Sequence, residues 1–186
     1  MINKFKKVED TIITISELML PSHANFSGKI HGGYILNLMD QIAFACASKH
    51  SGAYCVTASV DTVDFINPIE VGELVTMKAS VNYVGRTSMV IGIRVEAEHI
   101  QTGKTKHCNS SYFTMVAKDN NGQPTEVPGL ILNDKIEVKR FLKSLVRIKT
   151  KRHRQAEFDS ANFSLQNYLK ELESYRVKIE LPEHLE

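Results

Sequence analysis

Only one stretch of this chain is long and apolar enough to make a buried helix, and the residues after it alternate with a period of two. Tyr34 to Ala47 carries a single charge, Asp40, and opens just after His31-Gly32-Gly33. The polar residues Ser48 to Gly52 close it, which predicts a helix over Gly32–Lys49. Ahead of it, Thr11–Leu20 alternates loosely and reads as a strand ending at Pro21. Behind it come Tyr54–Ile66, closed by Asn67-Pro68, and Glu73–Val84, with Val75, Met77, Ala79, Val81 and Tyr83 on one face. After the turn at Gly85-Arg86, Met89 to Ala97 alternates with Arg94 and Glu96 outward, and Lys106–Lys118 is the last strand. Alternation of this kind marks an antiparallel sheet with one face covered. Only the Gly32–Lys49 helix can cover it. The expected class is therefore α+β, a five-stranded antiparallel sheet wrapped around a long central helix.

Composition removes several alternatives. At 42% hydrophobic residues the chain can build a core, and a formal charge of +2 implies no strong field for nucleic acid or membrane. No apolar run reaches the roughly 18 residues that span a bilayer, and the N-terminus has no apolar signal core. Cys46, Cys55 and Cys108 are odd in number and lack a C-x-x-C pair, as expected of reduced thiols in the cytoplasm. The histidines show no metal-ligand spacing, so neither metal nor cofactor is expected. Beyond residue 130 the character changes. Lys135–Arg154 holds nine Lys/Arg against Glu137, with Phe141, Leu145 and Ile148 at helical spacing. Ser160 is placed to cap a second helix running to Tyr175. Residues 131–186 read as a basic helical extension, because they have too little apolar surface for a core of their own. Its basic stripe is either a solvated face packed on a neighbouring subunit or a contact for a phosphate. It lacks the interleaved aromatics that stack nucleic-acid bases.

Asp40 is the chemical anomaly. A carboxylate inside a mostly buried helix carries a steep desolvation cost unless it is hydrogen-bonded or has a task. Gly32-Gly33 at the helix entrance leaves the first backbone N–H groups open to a ligand. The residues alone also allow a structural acid, a glycine pair that only closes a loop, and an Asn25 that only forms a turn.

The run His23-Ala24-Asn25-Phe26-Ser27-Gly28-Lys29-Ile30-His31-Gly32-Gly33, then Leu38-Met39-Asp40, Val63-Asp64-Phe65-Ile66-Asn67-Pro68 and Gly85-Arg86-Thr87-Ser88-Met89, resembles the hotdog-fold acyl-CoA thioesterases, specifically the cytosolic acyl-CoA hydrolase branch. The resemblance covers residues 8–130 and implies the hotdog fold, with acyl-CoA as substrate. It implies Asp40 as general base or nucleophile, Asn25 as the group that orients water or thioester, and the Gly33 N–H as donor to the carbonyl. His31, Gly32, Arg86, Thr87 and Ser88 are implied substrate contacts, Arg86 as a phosphate partner. Asn25 and Asp40 of one site would come from different subunits, so at least a dimer is expected, assembling further to a hexamer as a trimer of dimers. Two other functions compete: a non-catalytic acyl-CoA-binding sensor or scaffold, and a hydroxyacyl-thioester dehydratase pairing His31 with Asp40.

Overall fold

The computed structural model describes residues 4–161, 172, 174–178 and 180. In chain order the elements are β1 (Phe5–Lys7), β2 (Ile13–Leu18), α1 (Gly32–Ser51), β3 (Tyr54–Val60), β4 (Glu73–Val84), β5 (Ser88–His99), β6 (Lys104–Lys118), β7 (Gly129–Ile131) and α2 (Lys135–Ser160). Five strands form one antiparallel sheet in the order β2-β4-β5-β6-β3. The sheet curls round α1, the arrangement that the resemblance implied. Met39, Ala43, Cys46 and Ala47 of α1 are wholly buried against Met77, Ala79, Ile91, Val95, Phe113 and Met115. The helix ends where Gly52 adopts a left-handed φ of 71° and returns its N–H to Ser48 O at 2.8 Å. Lys6 Nζ adds a charge-assisted cap, donating to His50 O at 2.7 Å and Lys49 O at 3.2 Å.

Two elements had no signal in the periodicity. β1 and β7 pair in parallel through Phe5↔Gly129, Lys6↔Leu130 and Lys7↔Ile131. Strands of three residues are too short to show alternation. The strand expected over Tyr54–Ile66 stops at Val60, after a register shift between Thr57 and Ser59. The chain then tracks β6 through single bonds, among them Ile66 N to Cys108 O at 2.9 Å.

The chain divides into two compact units, Met1–Val146 and Arg147–Glu186. Within the first, the start of α2 covers part of the sheet's outer face. Phe141 lies against Tyr83 with ring centroids 5.1 Å apart, and Ser144 is fully buried. In the second unit the helix expected to follow Ser160 lies outside the described residues, and Ser160 itself is the last residue of α2. Cys46, Cys55 and Cys108 are free and buried. Burial pushes the Cys46 thiol up to about 12. Among the described residues no helix is long and apolar enough to cross a membrane.

Candidate active site

Asp40 is not buried. α1 packs Ile35, Leu38, Met39, Ile42, Ala43 and Cys46 on the sheet and leaves Asn37, Asp40, Gln41 and Phe44 facing outward. The expectation of a buried carboxylate failed because the apolar run suggested a helix covered all round, whereas a one-sided sheet covers about half of it. The outward strip was visible in the sequence as Asn37, Asp40, Gln41 and Phe44 at helical spacing. The partner of Asp40 is the Thr57 hydroxyl on edge strand β3, which donates to Oδ1 at 2.5 Å. A bond this short suits a hydroxyl donating to a carboxylate. Nothing in a Thr- and Val-rich strand singled out Thr57, because the bond depends on where β3 lies beside α1.

A cleft of about 550 Å³ opens at this pair, with Gln41, Phe44, Tyr54 and Met115 among its lining. Phe44 and Tyr54 are the aromatics of that lining. Tyr34 instead stacks on His23, with centroids 4.0 Å apart, and donates to Glu17. That hydrogen bond, with burial and the nearby charge, raises the Tyr34 hydroxyl above its ordinary value. The Arg86–Ser88 turn joins β4 to β5 and is held by Gly85 N to Ser88 O at 2.7 Å. The register carries Thr57 to Met115 and Met115 to Met89, so Ser88 lies two strands from β3. At the usual strand spacing that is about 10 Å.

Asn25, His31, Gly32 and Gly33 gather at the N-terminal end of α1, with Asp40 near its middle. Asn25 anchors a tight turn: its Oδ1 accepts from Ser27 N at 2.9 Å, Ser27 Oγ at 2.7 Å and Lys29 N at 3.2 Å. Two backbone donors fix which end of the amide is oxygen, so Nδ2 is a donor without a partner among the described residues. His31 is the N-cap of α1, and its Nδ1 accepts the Gly33 N–H at 2.9 Å. The donor expected from Gly33 is therefore occupied. Tyr34 N and Ile35 N both turn to His31 O. Gly32 N–H is the first-turn donor with no partner among the described residues. A Cβ at Gly32 would stand 3.2 Å from the Phe65 ring, so a side chain there would press on that ring.

The structure thus gathers Asn25, His31, Gly32 and Gly33 in one group and Asp40 with Thr57 in another. Asp40 is eight residues on from Gly32 along α1, about 12 Å of rise.

The family described as the thioesterase superfamily matches residues 27–104. The chain is 44% identical over 137 residues to Protein VdlD of Helicobacter pylori, covering 74% of this chain and 78% of that one. It is 33% identical over 130 residues to the uncharacterized acyl-CoA thioester hydrolase YkhA of Bacillus subtilis, covering 70% of this chain and 75% of that one. The chain belongs to the thioesterase superfamily. This thioesterase superimposes on an apo-hexameric acyl-CoA thioesterase with TM-score 0.80 and 33% identity, over 82% of this chain and 98% of that chain. It matches the acyl-CoA hydrolase of Staphylococcus aureus, solved with butyryl coenzyme A, coenzyme A and coenzyme A disulfide, with TM-score 0.77 and 30% identity over 89% and 99%. That hydrolase is also solved with alanine replacing an asparagine, an aspartate and a threonine, at intervals of 15 and 17 residues. Asn25, Asp40 and Thr57 stand at the same intervals in this thioesterase.

Proposed function

We propose that this thioester hydrolase converts acyl-CoA to free fatty acid and coenzyme A at sites shared between two copies of the chain. The observation that carries the sharing is the distance along α1. The donor to a thioester carbonyl and the base of its attacking water must each lie about 3 Å from the atoms they serve. Donors at Gly32 and a base about 12 Å further along one helix do not meet that demand, so one copy supplies Asn25 and Gly32 and the other supplies Asp40 and Thr57.

In this reading Asp40, held by Thr57, takes a proton from water as the oxygen attacks the acyl carbon. Asn25 Nδ2 and the Gly32 N–H, in place of the Gly33 N–H, receive the developing oxyanion, aided by the positive end of α1. The intermediate collapses, the C–S bond breaks, and the proton passes from Asp40 to the departing sulfur. His31 contributes by fixing the helix start through Gly33. Arg86, exposed and without an ion partner among the described residues, takes a phosphate of coenzyme A, with Thr87 and Ser88 beside it. The same spacing of Asn, Asp and Thr in the Staphylococcus aureus hydrolase supports the assignment, and the hexameric neighbour supports a trimer of such dimers. Free, buried cysteines suit a reducing compartment such as the cytoplasm.

The test is thiol release from a panel of acyl-CoAs by wild type and Asp40→Ala. Turnover on at least one chain length, reduced about 10²–10⁴-fold in the variant, is expected. Tight acyl-CoA binding with no turnover would instead favour a sensor, and unchanged turnover in Asp40→Ala would remove the base from the scheme.

A further inference from the structure

Phe26 is fully exposed, and it comes directly after Asn25. A lone exposed apolar side chain is ordinary on a protein surface. This one projects from a turn whose backbone is fixed by hydrogen bonds. Besides the three bonds to Asn25 Oδ1, Asn25 N donates to Lys29 O at 2.7 Å and Gly28 N to Asn25 O at 3.0 Å, with Gly28 at a φ of 77°. The turn that fixes the Asn25 amide therefore also fixes the backbone from which a phenyl ring projects into water beside it.

The cleft at Asp40 presents a complementary surface. Its mouth carries two exposed rings, Phe44 and Tyr54, packed edge to face with centroids 5.6 Å apart. A space of roughly 150 Å³ suffices for a benzene molecule. The cleft's 550 Å³ accommodates a phenyl ring with room for an acyl group. We propose that Phe26 of one copy seats in the cleft of its partner, against the Phe44–Tyr54 pair, and thereby sets Asn25 at the partner copy's Asp40. Phe26 is then a positioning residue, and the occupant of the cleft mouth is a second copy of this chain. The inference rests on the shared-site reading.

Mixed dimers separate the two ideas. Co-expressed Phe26→Ala and Asp40→Ala chains form one site in which an intact Phe26 turn meets an intact Asp40. Asn25→Ala with Asp40→Ala does the same for the reading itself. Alone, Phe26→Ala should lose about tenfold or more in kcat, since small misplacements of reacting groups carry large penalties. Phe26→Tyr and Phe26→Leu should recover most of it. Mixing should restore up to half of wild-type activity in both pairs. Restoration with Asn25→Ala but not with a folded Phe26→Ala would overturn the inference and leave the shared site standing. Restoration in neither pair would sink the shared site and the inference with it. Full activity of Phe26→Ala alone would also refute the role, and thermal melts of Phe26→Ala and Phe26→Leu confirm that the chains fold.

Discussion

Replacing Gly32 by proline deletes one N–H at the helix entrance while disturbing little else. Gly32 is the first residue of α1, the helical position that best accepts proline because its N–H has no intrahelical partner. The preceding His31 has φ −65° and ψ 126°, the extended conformation that a following proline requires. The steric demand is a Cβ 3.2 Å from the ring of Phe65, a half-exposed side chain that can give way. Gly32→Ala places the same Cβ there and keeps the N–H, so the pair separates the effect of the Cβ from the replacement of the N–H by a ring carbon. If that N–H receives the oxyanion, its loss should lower kcat about 10²–10³-fold, or ~2.7–4 kcal/mol of transition-state stabilisation. The lower end is expected here because Asn25 Nδ2 remains as a second donor. Thiol-release kinetics on both variants, with calorimetry to show similar melting, measures the difference. Equal kcat for Gly32→Pro and Gly32→Ala would refute the argument and return the role to Gly33 or to Asn25 alone. Gly33→Ala is a poorer control, because its Cβ would stand 3.1 Å from His31 Nδ1, the atom that accepts the Gly33 N–H.

Other expectations concern the base and the core. Thr57→Val keeps the shape of the side chain and removes the hydroxyl from Asp40. Hydrogen bonds to charged groups contribute about 1.5–3 kcal/mol, and the exposure of Asp40 favours the low end, so a loss of roughly tenfold in kcat is expected. Thr57→Ser should retain activity, and a fully active Thr57→Val would remove Thr57 from the site. A single turnover in heavy-oxygen water should label the fatty acid and leave Asp40 unlabelled by mass spectrometry, whereas label in Asp40 would make it the nucleophile. Burial holds the His50 imidazole below its ordinary 6.5, opposed by its bond to Pro128 O. Below that value the unfolded chain binds the proton more readily, so the stabilisation present above about pH 6.5 is lost as pH falls toward the lower folded value. The melting temperature should therefore drop more steeply between about pH 7 and 5 in wild type than in His50→Gln, and parallel curves would contradict this.

The sheet was legible because its signal is local. In β4 Val75, Met77, Ala79 and Val81 are buried as the alternation required, but Tyr83, expected on the same face, leaves it after the register shift between Val81 and Tyr83 and packs on Phe141 instead. α1 was legible for the same reason, and its observed bounds differ from the expected ones by two residues at the C-terminal end. The site was legible only as an inventory of residue types. Asp40 was found by its charge, yet its exposure depends on the sheet being one-sided. Gly33 was chosen over Gly32 because sequence shows two adjacent glycines and cannot show that His31 turns its ring back onto the second N–H. Thr57 was missed altogether. Its bond to Asp40 depends on the placement of β3 at the sheet edge beside α1, a contact between residues 17 apart in sequence.

Three features make little sense in a single copy: the outward strip of α1 with Asp40 and Phe44, the open edge of β3, and the hydrogen-bonded turn from which Phe26 projects into water. A two-fold axis accounts for all three at once, because an isologous contact uses each patch twice. If the Asn25 turn of one chain reaches Asp40 of the other, symmetry requires the reverse contact, and every dimer carries two complete sites. The glycine entrance and the carboxylate then need not be close within a chain. About 12 Å of helix between them becomes the offset by which two antiparallel helices bring the entrance of each to the acid of the other. On that argument a chain kept monomeric by charges on the β3 edge would retain the α1-centred core and its melting transition while losing turnover.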